Sequence, residues 1–240
     1  MRPDLARRTV AELVGTAFLV TVVVGSGIAA QRLSPGDAGL QLLENAAATA
    51  AGLIAIIIAI GPVSGAHLNP VVSLADAAFG GIDRRDLLAY IPAQITGGII
   101  GAILANLMFS EPAIEWSTRT RSGGGLWLAE AVATAGLLLV VFGAVRSGRS
   151  SAAPFAVGAY IGAAYWFTAS TSFANPAVTI ARGFSNTFAG IEPASIPAFV
   201  GFQVVGAGFA LVLVRYLFPD VRAVADDVVV PTVGARVPHV

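Results

Sequence analysis

Two dipeptides, two carboxylates and one imidazole are the groups of this 240-residue sequence best placed to do chemistry. Asn69-Pro70 stands in "GAHLNPVVSLA" and Asn175-Pro176 in "TSFANPAVTIAR". Each lies in a run without charged side chains, 31 residues from Asn45 to Ala75 and 32 from Ser150 to Ala181. Asn favours the N-cap of a helix and Pro its first position, so each pair predicts the start of a short helix. A helix N-terminus carries about +0.5 elementary charge. Two such ends turned toward one point would repel cations and protons, while the asparagine amides could still donate to an uncharged oxygen. That is the chemistry of selective passage.

Glu12 and Glu130 each open an apolar run, "AELVGTAFLVTVVV" from Ala11 and "AEAVATAGLLLVVF" from Ala129. A carboxylate at membrane depth is a functional candidate by default. Two readings are open: a proton relay, which would make the protein a proton-coupled secondary carrier, or an acceptor for the backbone N–H groups of a loop. His67 reads either as a loop brace or as a pH gate, and a lone histidine cannot hold a catalytic metal. No nucleophile–base constellation or cofactor loop occurs, and the absence of Cys removes thiolate catalysis and Cys-ligated metals. No enzymatic activity, cofactor or metal is expected. The formal net charge of zero gives no reason to expect a nucleic-acid partner.

The elements that position these groups follow from composition. Hydrophobic residues make up 56% of the chain and charged residues 12%, about half the share usual in soluble domains. Mean hydropathy is +0.79. These are the values of a polytopic membrane protein. A transmembrane helix needs about 20 apolar residues, and four segments fit one span each: roughly 10–30, 87–108, 126–145 and 194–214. The first could pass for a signal peptide, but its uncharged core from Leu13 to Ala30 exceeds the usual apolar region of about 7–15 residues. The two runs holding the Asn-Pro pairs are too long for one helix and too short for two. One full span followed by a piece of about ten residues that enters the membrane and stops accounts for each.

The chain also repeats itself. The segment from Ala11 resembles that from Ala129, "NPVVSL" resembles "NPAVTI", and "AQITGGIIGA" from Ala93 resembles "FQVVGAGFAL" from Phe202. Each half reads span, span, half-span, span, over about residues 8–110 and 125–218. Three full spans per half is an odd number, so the second half is expected to sit inverted relative to the first. The expected fold is all-α, with six transmembrane helices and two re-entrant half-helices. Arginine placement fits a multi-pass protein with both termini cytoplasmic. Arg2, Arg7, Arg8, Arg84, Arg85, Arg146, Arg149, Arg215, Arg222 and Arg236 then fall inside, and Arg32, Arg119, Arg121 and Arg182 outside. The tail 219–240 is expected to be a short, poorly ordered cytoplasmic extension to the domain 1–218.

Between about residues 8 and 218 the sequence resembles the aquaporin and glycerol-facilitator (major intrinsic protein) family. The resemblance rests on "SGAHLNPVVS", "NPAVT", the paired "AE" starts of the first and fourth spans and the paired Gln94 and Gln203. It implies a homotetramer in the plasma membrane, the inner membrane of a bacterium, with one pore per subunit passing small uncharged solutes such as water and glycerol. It also implies that Glu12 and Glu130 brace the re-entrant loops. The boxes that meet at the pore centre would be Asn69, Pro70, Val71 and Asn175, Pro176, Ala177, with Val71 standing where the family usually has Ala. Most members carry a filter Arg directly after the second box; Val178 occupies that place, and Arg182, one turn on, is expected to point elsewhere. Thr49 and Ser172 match further filter positions by offset, and the fifth-span position falls on Ala163 or Tyr165. "YWFTASTSFANPAVTIAR" is similar to a bacterial branch of the family associated with arsenic resistance, which suggests neutral arsenic species among the solutes.

Overall fold

Five of the described helices begin where a side chain supplies an acceptor for their free N–H groups. In the computed structural model, which describes residues 3–146 and 150–219, Asp4 caps α1 (Leu5–Leu33) and Asp37 caps α2 (Ala38–Ser64). Asn69 caps α3 (Pro70–Phe79), and Asp83 caps α4 (Arg84–Met108). The second half supplies α5 (Gly124–Arg146), α6 (Ala153–Phe167), α7 (Pro176–Arg182), which Asn175 caps, and α8 (Ile196–Leu217). Gly65 and Gly80 close α2 and α3 in the left-handed conformation that glycine adopts without strain.

The element order is the expected one, with α3 and α7 as the half-helices. Among the described residues, five helical segments are long and apolar enough to cross a membrane. The remaining spanning element, α6, has 15 residues and is extended at its start by the 3-10 turn Ser150–Ala152. At 1.5 Å per residue α6 alone covers about 22 Å, short of the roughly 30 Å hydrocarbon layer. The expected tail lies outside the described residues beyond position 219, as do Arg2, Arg149, Arg222 and Arg236.

The two halves pack by the same device. A Cβ at Gly97 of α4 would lie 2.1 Å from the Leu13 carbonyl oxygen of α1, and one at Gly101 would lie 2.2 Å from that of Ala17. In the second half, a Cβ at Gly206 of α8 would lie 2.3 Å from the Ala131 carbonyl oxygen of α5. Gly97 and Gly206 each follow their half's glutamine by three residues, so the repeat in sequence is a repeat in packing. Small residues permit this backbone approach, the main source of helix association where lipid offers no hydrophobic drive. At the starts of α1 and α4 the buried Arg8 holds Asp86 through two bonds of 2.5 and 2.7 Å.

Candidate functional site

The polypeptide before each half-helix is held in a conformation that alanine, leucine and serine rarely adopt. Left-handed φ values occur three residues and one residue before each capping asparagine: Ala66 (49°) and Leu68 (52°), then Ser172 (49°) and Ala174 (47°). Such backbone costs about 1–3 kcal/mol per residue and persists only where the surroundings enforce it. Here the glutamates do so. Glu12 accepts from the N–H groups of His67 (3.0 Å) and Leu68 (2.7 Å), and Glu130 from those of Phe173 and Ala174 (both 2.9 Å). Gln94 links Glu12 (2.8 Å) to Ser73 (2.9 Å), and Gln203 links Glu130 (2.6 Å) to Thr179 (2.8 Å). Both carboxylates are fully buried, and neither lines the cavity described below.

The two loops then meet through their asparagines. Asn69 Oδ1 accepts from the Val71 N–H (3.0 Å), while its Nδ2 donates to the carbonyl of Ala174 (2.8 Å). Asn175 Oδ1 accepts from Ala177 (2.9 Å) and Val178 (3.3 Å), while its Nδ2 donates to the carbonyl of Leu68 (2.8 Å). An amide nitrogen carries two hydrogens. One on each asparagine crosses to the opposite loop, and among the described residues the other has no protein acceptor.

A cavity runs past this junction. Asn69 and Asn175 line it, as do His67, Thr49, Tyr165, Ser172 and Val178, with Leu19, Ile57 and Val141 among its apolar walls. Tyr165 faces it with its hydroxyl 3.3 Å from Thr49 Oγ1, whereas Ala163 is exposed on the outer surface. Ser172 Oγ is buried without a hydrogen-bond partner. Pro70, Val71, Pro176 and Ala177 are buried and do not line the cavity. His67 is held at Nδ1 by Ser73 Oγ (3.0 Å), and its Nε2 lies 3.4 Å from Asp76.

Arg182 corrects the sequence-based expectation that it points elsewhere. It lines the same cavity as Val178, is 2% exposed and donates from Nε to the Ala189 carbonyl. Residues four apart on a helix share a face, and that spacing was the signal in the sequence. Its guanidinium lies over the ring of Phe173, with Cζ 3.4 Å from the centroid, and the Arg121 guanidinium lies 5.0 Å from the same ring. Burial, then the nearby Arg182 and Arg119 charges, push the pKa of Arg121 down to about 9, so it stays cationic at neutral pH.

Comparison with known proteins agrees with this architecture. The family model "Major intrinsic protein" matches residues 1–174. The chain is 50% identical over 221 residues to aquaglyceroporin AqpS of Rhizobium meliloti strain 1021, covering 92% of this chain and 94% of that one. It is 37% identical over 114 residues to the glycerol uptake facilitator protein of Pseudomonas aeruginosa, covering 48% of this chain and 40% of that one. In three dimensions it superimposes on the X-ray structure of the aquaglyceroporin from Plasmodium falciparum with a TM-score of 0.71. That match, at 20% identity, covers 92% of this chain and all of the other, and it establishes the fold.

Proposed function

The chain belongs to the major intrinsic protein family, and from that premise we propose that it is a passive channel for small uncharged solutes, water and glycerol among them, with an opened filter. The observation that carries the reading is the crossed pair Asn69 and Asn175, each with one amide hydrogen fixed on the opposite loop and one left over at the cavity. A solute oxygen can exchange its water for these donors at the narrow centre. A cation meets the positive ends of α3 and α7, and among the described residues no carboxylate lines the cavity to compensate it.

Val178, Thr49, Ser172 and Tyr165 form the filter in this reading. Arginine at 178 would place a bulky guanidinium with five donors there; valine leaves a wider and less polar passage. Neutral solutes larger than water fit it, which supports polyols and neutral arsenic hydroxides as cargo. Glu12, Glu130 and His67 brace the loops. Since both carboxylates have their oxygens taken by N–H and O–H donors, transport by proton relay has no support in the site. We place the protein in a bacterial inner membrane as a homotetramer, as the family membership suggests, with both termini cytoplasmic, which the arginine distribution favours.

Stopped-flow permeability of proteoliposomes tests the proposal. Water, glycerol and neutral arsenic trihydroxide should all equilibrate faster than in empty vesicles, with flux linear in concentration and indifferent to an imposed pH gradient. Saturable uptake driven by that gradient would overturn the channel reading.

A further inference from the structure

The inverted repeat places a charged residue seven positions after each capping asparagine: Asp76 after Asn69 and Arg182 after Asn175. Each meets the residue two positions before its asparagine. Asp76 lies 3.4 Å from His67 Nε2, and the Arg182 guanidinium lies over Phe173. His67 packs edge-on against Tyr90 at 5.5 Å, and Phe173 against Phe199 at 5.2 Å, so the aromatic seats correspond too. The two ends differ in how the charge is compensated. Asp76 is held at an imidazole and does not line the cavity, whereas Arg182 lines it. Among the described residues no carboxylate stands within ion-pair distance of Arg182. The titratable and charged groups around it are Tyr165, Glu130, Arg119 and Arg121. Glu130 already accepts from the N–H groups of Phe173 and Ala174 and from Gln203.

We infer that Arg182 is the filter cation of this pore, moved one helical turn outward from the position that Val178 vacates. The inference rests on the channel reading above and deepens it. Four residues along α7 displace the charge by about 6 Å. Phe173 and the Ala189 carbonyl draw the guanidinium against the wall, so it does not fill the passage. Only Nε has a protein acceptor among the described residues, which leaves the four terminal N–H donors for a solute oxygen. A solute can therefore turn oxygen toward Arg182 and an apolar group toward Val178. The charge serves a second purpose: α7 has only seven residues, so its N-terminus alone is a weak barrier, and Arg182 adds a full unit of positive charge on the same helix.

The test compares wild type, Arg182→Gln and Arg182→Lys in proteoliposomes, reading proton and sodium conductance beside glycerol flux. Gln is neutral and keeps a donor for the Ala189 carbonyl; Lys keeps the charge. Glycerol flux above that of empty vesicles identifies a folded, open channel. The expected result is a rise of about tenfold or more in cation and proton conductance for Arg182→Gln and little change for Arg182→Lys. Arg182→His provides the same contrast within one folded preparation: burial and the neighbouring arginines hold an imidazole there below its ordinary pKa of about 6.5, so the leak should be present at about pH 8 and shrink only as pH falls below that ordinary value. A conducting Gln variant, or a conducting His variant at about pH 8, that is as tight to cations as wild type overturns the inference and leaves the channel reading standing. A wild type that passes no neutral solute overturns the channel reading itself.

Discussion

Asn69 and Asn175 each donate a hydrogen bond, 2.8 Å in both cases, to the carbonyl of the residue that precedes the other. The exchange ties the starts of two half-helices that belong to opposite halves of the repeat. It also orients each amide, since one hydrogen is committed to the loop and Oδ1 to the cap. What remains is a fixed pair of donors on one stretch of the cavity, which a flexible side chain could not supply.

Replacing either asparagine with leucine should therefore block flux and weaken the fold together. Asn175→Leu leaves the Leu68 carbonyl and the N–H groups of Ala177 and Val178 without their partner. A buried polar group left unpaired costs about 1–3 kcal/mol. Glycerol permeability of membrane-inserted protein should fall to the empty-vesicle level, and the unfolding midpoint should drop. Full conduction by inserted Asn175→Leu would show that the solute bypasses this junction.

Val178→Arg should narrow the mouth. The added guanidinium would stand one turn from that of Arg182, on the same face of α7. Loss of pocket space by a group of this size should reduce glycerol permeability by about tenfold or more, and water permeability much less. Paired stopped-flow measurements of the two solutes give the ratio directly. An unchanged ratio would remove Val178 from the constriction.

Glu12→Gln and Glu130→Gln separate bracing from proton relay. Gln replaces one acceptor oxygen with an NH2 group that faces N–H donors of the loop. Loss of a hydrogen bond to a charged acceptor costs about 1.5–3 kcal/mol, so thermal stability should fall in both variants. Flux per folded channel should respond to a pH gradient no more than in wild type. A gradient-dependent component in wild type that disappears in either variant would restore the relay.

Gly206→Val and Gly97→Val should prevent close crossing of the helices without touching the cavity. The nearest atoms are backbone carbonyl oxygens, which cannot turn aside as a flexible side chain could. Overpacking of this kind costs roughly 1–3 kcal/mol. Lower yield of membrane-inserted protein and a lower unfolding temperature are the expected readouts, and wild-type stability would mean the helices cross more loosely than the structure has them.

Much of the molecule was legible in the sequence because the constraints were local. Asn accepts from the N–H groups next to it, and Pro has no N–H to satisfy, so "LNP" and "ANP" announce helix starts wherever they occur. Length against bilayer thickness divided the runs around them, and similarity between halves gave the inverted order. Other features depended on distant parts of the chain. The acceptors of the asparagine amides lie 105 and 107 residues away in sequence. The choice of Tyr165 over Ala163 is set by the rotation of α6 against α2, which brings the tyrosine hydroxyl to Thr49 and turns Ala163 outward. Arg182 shows the boundary between the two. Its four-residue spacing from Val178 placed both on one helical face, but a buried guanidinium there needed the Phe173 ring and the Ala189 carbonyl to hold it. Local chemistry determined where the helices begin; only long-range packing decided which side chains share the cavity between them.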